Sequence, residues 1–202
     1  MTPPHTPTPD DSPQPASERA TLQAMLKRAA CGDELAWKQL IDAYSTRVYG
    51  LIRAQCGNSD LAEEITQSTF CTIVVKIAGY TELGKFEQWL FRIAMNRLRD
   101  EMRRRKRQAR PVEDETLTAL AGAAQQGPAD GDGPNDPEQV LALRRAVARL
   151  SDADQQIIHL RHYGGLSFKQ IAEILEQPLG TVLARQHRAL KKLHELLGEP
   201  ND

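Results

Sequence analysis

Apolar positions recur along this chain with a helical period almost from end to end. Trp37, Leu40, Ile41, Tyr44, Val48 and Leu51 follow the i, i+3, i+4, i+7 spacing that lays one stripe along an α-helix, and Leu61, Ile65, Phe70, Ile73, Val74 and Ile77 repeat it. A third run carries Phe86, Trp89, Leu90, Ile93, Ala94 and Leu98, and a weaker one precedes all three at Leu22, Met25, Leu26 and Ala29. Asp60 and Glu63 stand as N-cap and third residue of the second run. No segment alternates with period two for long enough to predict a strand, so the first half of the chain predicts a helical bundle.

The last third is punctuated by helix signals. Asp136 caps and Pro137 opens one helix, Ser151 with Asp154 starts a second that Gly164 and Gly165 end, and Ser167 with Gln170 starts a third. A short helix from Phe168 to Leu175, a turn at Glu176 and Gln177, and a longer helix from about Pro178 to Leu197 have the proportions of a helix-turn-helix. An ordinary helical hairpin shares these proportions, and charge is what separates the two.

The chain has 202 residues, of which 40% are hydrophobic and 26% charged, the balance of a soluble globular protein. No uncharged apolar run approaches the roughly 18 residues of a membrane span. The opening MTPPHTPTPDDSPQPAS, with six prolines in its first fifteen residues and no Lys or Arg, resembles no leader sequence and predicts a disordered tail on a cytoplasmic protein. Cys31, Cys56 and Cys71 fit neither a disulfide framework nor a metal knuckle.

A net charge of −1 conceals strong segregation. Lys85 to Arg110 holds ten Lys or Arg against three acids, Pro111 to Glu138 seven acids and no base, and Arg161 to Lys192 six bases against two acids. The acidic stretch is rich in Ala, Gly, Pro and Asp and has few large apolar residues, so it cannot bury enough surface to offset its ordering entropy. It reads as a flexible linker with a typical span of roughly 30 Å. The predicted fold is therefore all-α: two small helical domains joined by a flexible acidic linker, the second carrying a helix-turn-helix. The expected divisions are a Pro-rich tail at 1–18, a first domain at 19–110, the linker at 111–136, a second domain at 137–198 and a short tail at 199–202.

A rotation of about 100° per residue gathers Arg92, Asn96, Arg99, Arg103 and Arg110 on one stripe, opposite Phe86, Leu90, Ala94 and Leu98. A run of charge usually forms a salt-bridged surface, but acids at i+4 are nearly missing, which favours phosphate as the partner. On the last helix the same construction buries Val182, Gln186, Ala189, Leu190 and Leu193 and turns Thr181, Arg185, Arg188 and Lys192 outward. Arginine can fork onto the O6 and N7 acceptors of guanine while lysine and threonine hold phosphates, so this face suits a major groove. His159 and His162, or His187 and His194, lack the further ligands of a metal site. No Ser-His-Asp or Cys-His arrangement, glycine-rich phosphate loop or carboxylate pair stands out, so the residues indicate binding rather than catalysis and call for no cofactor.

Three strings, AEEITQSTF (62–70), FEQWLFRIAMNRLRD (86–100) and LSFKQIAEILEQPLGTVLARQHRALKKL (166–193), resemble in order and spacing the signatures of the extracytoplasmic-function (ECF) group of sigma-70-type transcription initiation factors. The resemblance implies that the first domain binds core RNA polymerase and the melted promoter minus ten element, while the second reads the duplex minus thirty-five element. The implied polymerase contact falls on Glu63, Glu64, Gln67 and Phe70. The minus ten contact falls on the loop from Tyr80 to Lys85 and on Arg92, Asn96 and Arg99, with Trp89 and Arg103 beside them. The minus thirty-five contact falls on Thr181, Arg185 and Arg188, with Lys192 placed for phosphate. An anti-sigma factor is a candidate partner.

Phe70 weighs more as core than as contact, and Trp89 divides evenly between packing and supporting the DNA loop. Three positions depart from the family pattern: Glu176 where glycine is frequent in the turn, Pro178 where a serine commonly caps the next helix, and Leu183 in place of a cation near phosphate. The competing reading is a stand-alone helix-turn-helix regulator, which leaves the string at 62–70 without a role.

Overall fold

The computed structural model describes residues 16–81, 84–108 and 137–198. The expected acidic linker, Arg110 and the last four residues lie outside them, as do residues 1–15 of the expected tail. Within the described residues the chain is all-α, with eight α-helices, one 3-10 turn and no strand. They are α1 (Ala16–Ala30), α2 (Glu34–Cys56), α3 (Ser59–Lys76), the turn Ile77–Gly79, α4 (Phe86–Gln108), α5 (Pro137–Ala148), α6 (Asp152–His162), α7 (Phe168–Leu175) and α8 (Leu179–Leu197). The first helix thus begins three residues inside the span expected to be tail.

In the first group α2 packs against α1, α3 and α4. Leu40, Val48, Leu51, Ile52, Leu90 and Phe91 are fully enclosed there. Three apolar residues counted as core in the helical pattern are exposed instead: Ile41 at 42%, Val74 at 52% and Leu190 at 47% relative exposure. Each follows a buried neighbour, Leu40, Ile73 or Ala189, and successive helical residues diverge by about 100°, so the helix can centre only one of the pair on the core.

Local capping follows the sequence at two of three sites. Ser151 accepts a hydrogen bond from the Asp154 amide, and Ser167 and Gln170 form a reciprocal capping box. The start of α3 differs, because Asn58 rather than Asp60 is the cap and accepts from the Leu61 amide. Glu176 occupies the left-handed region at φ 55°, as its position in the turn requires, and it is the only non-glycine with positive φ among the described residues. A residue with a Cβ carries about 1 kcal/mol of strain there. Pro178 sits at the cap with extended backbone, one residue before the first helical position, and supplies no side-chain acceptor.

The second group pairs α8 with α5, α6 and α7. Its apolar residues split between two clusters. Ala146, Leu150, Ile158, Ala189 and Leu193 close a small core within the group. Ile157, Leu160, Leu166, Ile171, Ala172, Ile174 and Val182 instead belong to the large cluster that also contains the buried residues of α1 to α4. The two groups therefore share a core, with α2 against α6 and α4 against α7.

Arg47 of α2 lies at that junction. Its guanidinium donates to the Glu87 carboxylate at 2.7 Å and through Nε and Nη2 to the Gly164 carbonyl. It also lies over the Tyr44 and Phe91 rings. Gly164 is required at its position, since a Cβ there would meet the Leu160 carbonyl oxygen at 2.5 Å.

Two predictions follow from the junction. Arg47→Ala should cost about 1–3 kcal/mol of stability, because it strands a largely buried carboxylate and a carbonyl. Arg47→Lys should recover only part of that, since an ammonium cannot fork to both acceptors. Thermal melts of the two variants decide, and a lysine variant as stable as the wild type would show that the fork is irrelevant. His159 is buried beside the junction, and desolvation, aided by His162, pushes its pKa down to about 4 from an ordinary 6.5. The fold keeps this imidazole neutral, so its contribution is intact above pH 6.5 and is lost as pH falls toward 4. The loss should be of order 2–3 kcal/mol. Denaturant midpoints of the wild type should fall more steeply across that window than those of His159→Met, and parallel curves would contradict the assignment.

Candidate polymerase and nucleic-acid interfaces

Helix α4 presents its charge as the helical wheel requires. Phe86, Leu90, Phe91, Ala94, Met95 and Leu98 are buried, while Arg92, Asn96, Arg99 and Arg103 are exposed. The few acids on this helix do not neutralise the stripe. Glu101 takes Arg104 and Arg105, and these hydrogen bonds hold its carboxyl down at about 2. Arg99 donates to the Asn96 side-chain oxygen at 2.9 Å, which orients both groups on one surface. Among the described residues neither Arg99 nor Arg103 has an ion-pair partner.

The loop ahead of α4 is anchored by aromatic packing. Tyr80 stacks on Trp89 at 4.5 Å between ring centroids and meets Phe86 edge-on. Trp89 is half-buried, so it packs and supports the loop at once. Within the expected contact loop Tyr80, Thr81, Gly84 and Lys85 are described, and residues 82 and 83 lie outside the described set.

Two cations of this surface are already engaged by the second group. Lys85 pairs with the Glu173 carboxylate at 3.0 Å, and Arg92 donates to the Glu173 backbone carbonyl at 3.0 Å. The linear sequence gave no sign of this, because Glu173 lies more than eighty positions away.

On α8 the turn and the length of the helix leave one side free of core contacts. Arg188 is exposed, its Nε donating to the Ala184 carbonyl of the preceding turn. Thr181 is half-buried. Arg185 is also half-buried and lies 3.8 Å from the Asp154 carboxylate, so it leans against α6 rather than projecting freely. Lys192 donates to the Arg149 carbonyl at 3.0 Å, holding the end of α5. Leu183 is exposed at the position where the family pattern has a cation.

The string at 62–70 lies on α3. Glu63, Glu64 and Gln67 are exposed on it, and Phe70 is half-buried against the core. The same exposed side continues past the string at Cys71, Val74 and Val75, the last at 81% relative exposure. Sequence reasoning missed this apolar extension, although the pair Val74–Val75 beside the buried Ile73 was a signal that one side of the helix stays apolar without a core to cover it.

The histidines gather no metal site: among the described residues no group of three or more His, Cys, Asp or Glu is placed to hold an ion. No described helix is long and apolar enough to cross a membrane.

Comparison with known proteins agrees with this geometry. Residues 40–108 match the Sigma-70 region 2 family and residues 146–195 the Sigma-70 region 4 family. The chain is 30% identical over 180 residues to the ECF RNA polymerase sigma factor SigW of Bacillus subtilis, covering 87% of this chain and 96% of that one. It is also 30% identical to the ECF RNA polymerase sigma factor BldN of Streptomyces coelicolor, covering 94% of this chain and 70% of the relative. The fold matches that of the sigma factor RpoE in its complex with the anti-sigma factor NepR from Bartonella quintana, with a TM-score of 0.65 at 23% identity over 81% of this chain and 98% of the other. With helix-turn-helix, basic α4 surface and both sigma regions in one chain, the protein belongs to the ECF group of the sigma-70 family of RNA polymerase sigma factors.

Proposed function

We propose that this chain joins core RNA polymerase, directs it to particular promoters and holds the opened strand, with each step carried by a separate helix. It acts in the cytoplasm and by binding alone, with no catalytic step of its own. The division of labour follows the expected domains: 19–110 for polymerase and the minus ten element, 137–198 for the minus thirty-five element, and 111–136 as connector.

The observation that carries the reading is the cationic face of α4, in which Asn96 and Arg99 are oriented together without a carboxylate to neutralise them. Such a face suits a splayed single strand, with Tyr80 and Trp89 shaping the loop that holds an unstacked base and Lys85, Arg92 and Arg103 beside the backbone. On α3, Glu63, Glu64 and Gln67 supply a polar contact to polymerase, which Val74 and Val75 extend with apolar area. Phe70 serves mainly to seat that helix. On α8, Arg188 and Thr181 face the groove, with Arg185 completing the set once it leaves Asp154.

Run-off transcription with purified core polymerase tests the whole. Wild-type chain should yield a defined transcript, and binding of duplex DNA without polymerase-dependent transcription would favour the stand-alone regulator. An anti-sigma factor is a further partner, as for the related sigma factors solved in such complexes.

Two residue-level outcomes are expected. Glu64→Arg with Gln67→Ala should weaken co-purification with core polymerase at least tenfold while leaving the melting temperature unchanged, because both side chains are exposed. Unchanged retention would remove α3 as the docking helix. Arg188→Ala should cost about 1–3 kcal/mol and relax preference at one or two base pairs, whereas Lys192→Ala should weaken all sequences alike. Binding-site selection from a random pool separates these, and an unaltered preference in Arg188→Ala would place the reading face elsewhere.

A further inference from the structure

The exposed side of α8 carries one apolar side chain at the edge of a basic and polar surface. Leu183 is 43% exposed and is the fifth residue of the helix. Ala184, His187, Arg188 and Lys191 are exposed beside it, and at 100° per residue the five share an arc of about 140° away from the buried Val182, Gln186, Ala189 and Leu193. Gly180 stands one turn before Ala184, and a Cβ there would meet nothing within 4 Å, so the helix surface between Leu183 and Arg188 is low and open. Arg188 folds back along that surface, its Nε donating to the Ala184 carbonyl at 3.3 Å, which carries its guanidinium toward the turn that holds Leu183.

Single exposed leucines are common on proteins, so position matters here more than exposure. In a helix-turn-helix the first turns of the second helix enter the major groove and reach base edges. Leu183 lies in those turns, whereas the exposed Leu190 and Leu197 lie roughly 10 Å and 21 Å further along the axis. None of the four exposed residues beside Leu183 is acidic, which suits a groove walled by phosphates. Leucine can neither donate nor accept a hydrogen bond, and the apolar group that bases present in the major groove is the thymine C5-methyl.

We infer that Leu183 reads a thymine methyl in the minus thirty-five element, within two base pairs of the one that Arg188 reads. This rests on the reading of α8 as the helix that meets the duplex promoter. The five-residue rise from Leu183 to Arg188, about 7.5 Å, matches about two base-pair steps of 3.4 Å, and the backward fold of Arg188 shortens it. A cation at position 183 would reach a phosphate or a guanine instead, so the leucine gives this chain a base preference that the family's cation does not.

Removing one methyl group from the DNA tests this without altering hydrogen bonding, because deoxyuridine keeps the edge of thymidine except for the C5-methyl. Promoters would be selected with the full chain bound to core polymerase, from a pool randomised in the minus thirty-five element. Each selected thymine would then be replaced in turn by deoxyuridine, and affinity measured for holoenzyme carrying wild type, Leu183→Ala or Arg188→Ala. The wild type should select a thymine within two base pairs of the position whose preference Arg188→Ala relaxes. Deoxyuridine there should weaken wild-type binding about fourfold, the effect of withdrawing one methyl from an apolar contact, and should leave Leu183→Ala almost unaffected. Arg188→Ala should keep the deoxyuridine effect, because the two side chains read different base pairs. Leu183→Lys should select without a preference for thymine at that position.

Absence of a selected thymine in that window, absence of a deoxyuridine effect, or an effect that persists in Leu183→Ala would each overturn the inference. So would loss of core polymerase from Leu183→Ala, which would make Leu183 a protein-docking residue, or a fall in its melting temperature, which would make it part of the core. Run-off transcription from the selected promoters keeps the two readings apart. A wild type that starts no transcript with core polymerase would remove the sigma reading, and the inference with it, whereas an active holoenzyme indifferent to the methyl would remove the inference alone.

Discussion

One guanidinium joins the two halves of this protein. Arg47 is bound to Glu87 within its own helical group and to the Gly164 carbonyl in the other, while its face rests on the Tyr44 and Phe91 rings. A lysine could satisfy one of these acceptors; the planar fork of arginine reaches both. Around this point the apolar residues of α6 and α7 complete the core of α1 to α4 instead of closing a fully separate core of their own. The second group consequently keeps a small interior of five buried residues, and its stability is linked to its seat on the first.

That seat determines what each surface can do. Because α7 lies on α4, the cationic stripe is divided by its partners: the exposed Lys85 and Arg92 bond to Glu173, whereas Arg99 bonds to Asn96 on its own helix. The exposed side of α3 that carries Glu63, Glu64 and Gln67 makes none of these contacts, and neither does Arg188 on α8. Any partner that parts α7 from α4 must bind the parted form more tightly, since differential binding is the only way a partner can shift a conformational equilibrium.

Much of the fold was legible because it is local. The apolar period located α1 to α4, and the Ser151 and Ser167 caps fixed the starts of α6 and α7 to the residue. The same period also placed the basic stripe of α4 correctly on its exposed side. Its errors have one physical source. Where two large apolar residues adjoin, as at Leu40–Ile41 and Ile73–Val74, the period accepts both but packing encloses one. At the start of α3 the cap is Asn58, two residues before the Asp60 that the pattern singled out. The contact between α4 and α7 was illegible for a different reason. Lys85 and Glu173 are ordinary surface residues in sequence, and only the tertiary arrangement sets them together. Arg185 likewise looked free on the helical wheel, which has no place for Asp154 on a neighbouring helix.

The seat of α7 on α4 holds the two helical groups together in the free chain. Single-molecule energy transfer tests it most directly, with dyes on the exposed Cys31 and on His194→Cys of α8 after Cys56→Ser and Cys71→Ser. The free chain should occupy a high-transfer state. A low-transfer state of the free chain, in a preparation active in run-off transcription, would contradict the account.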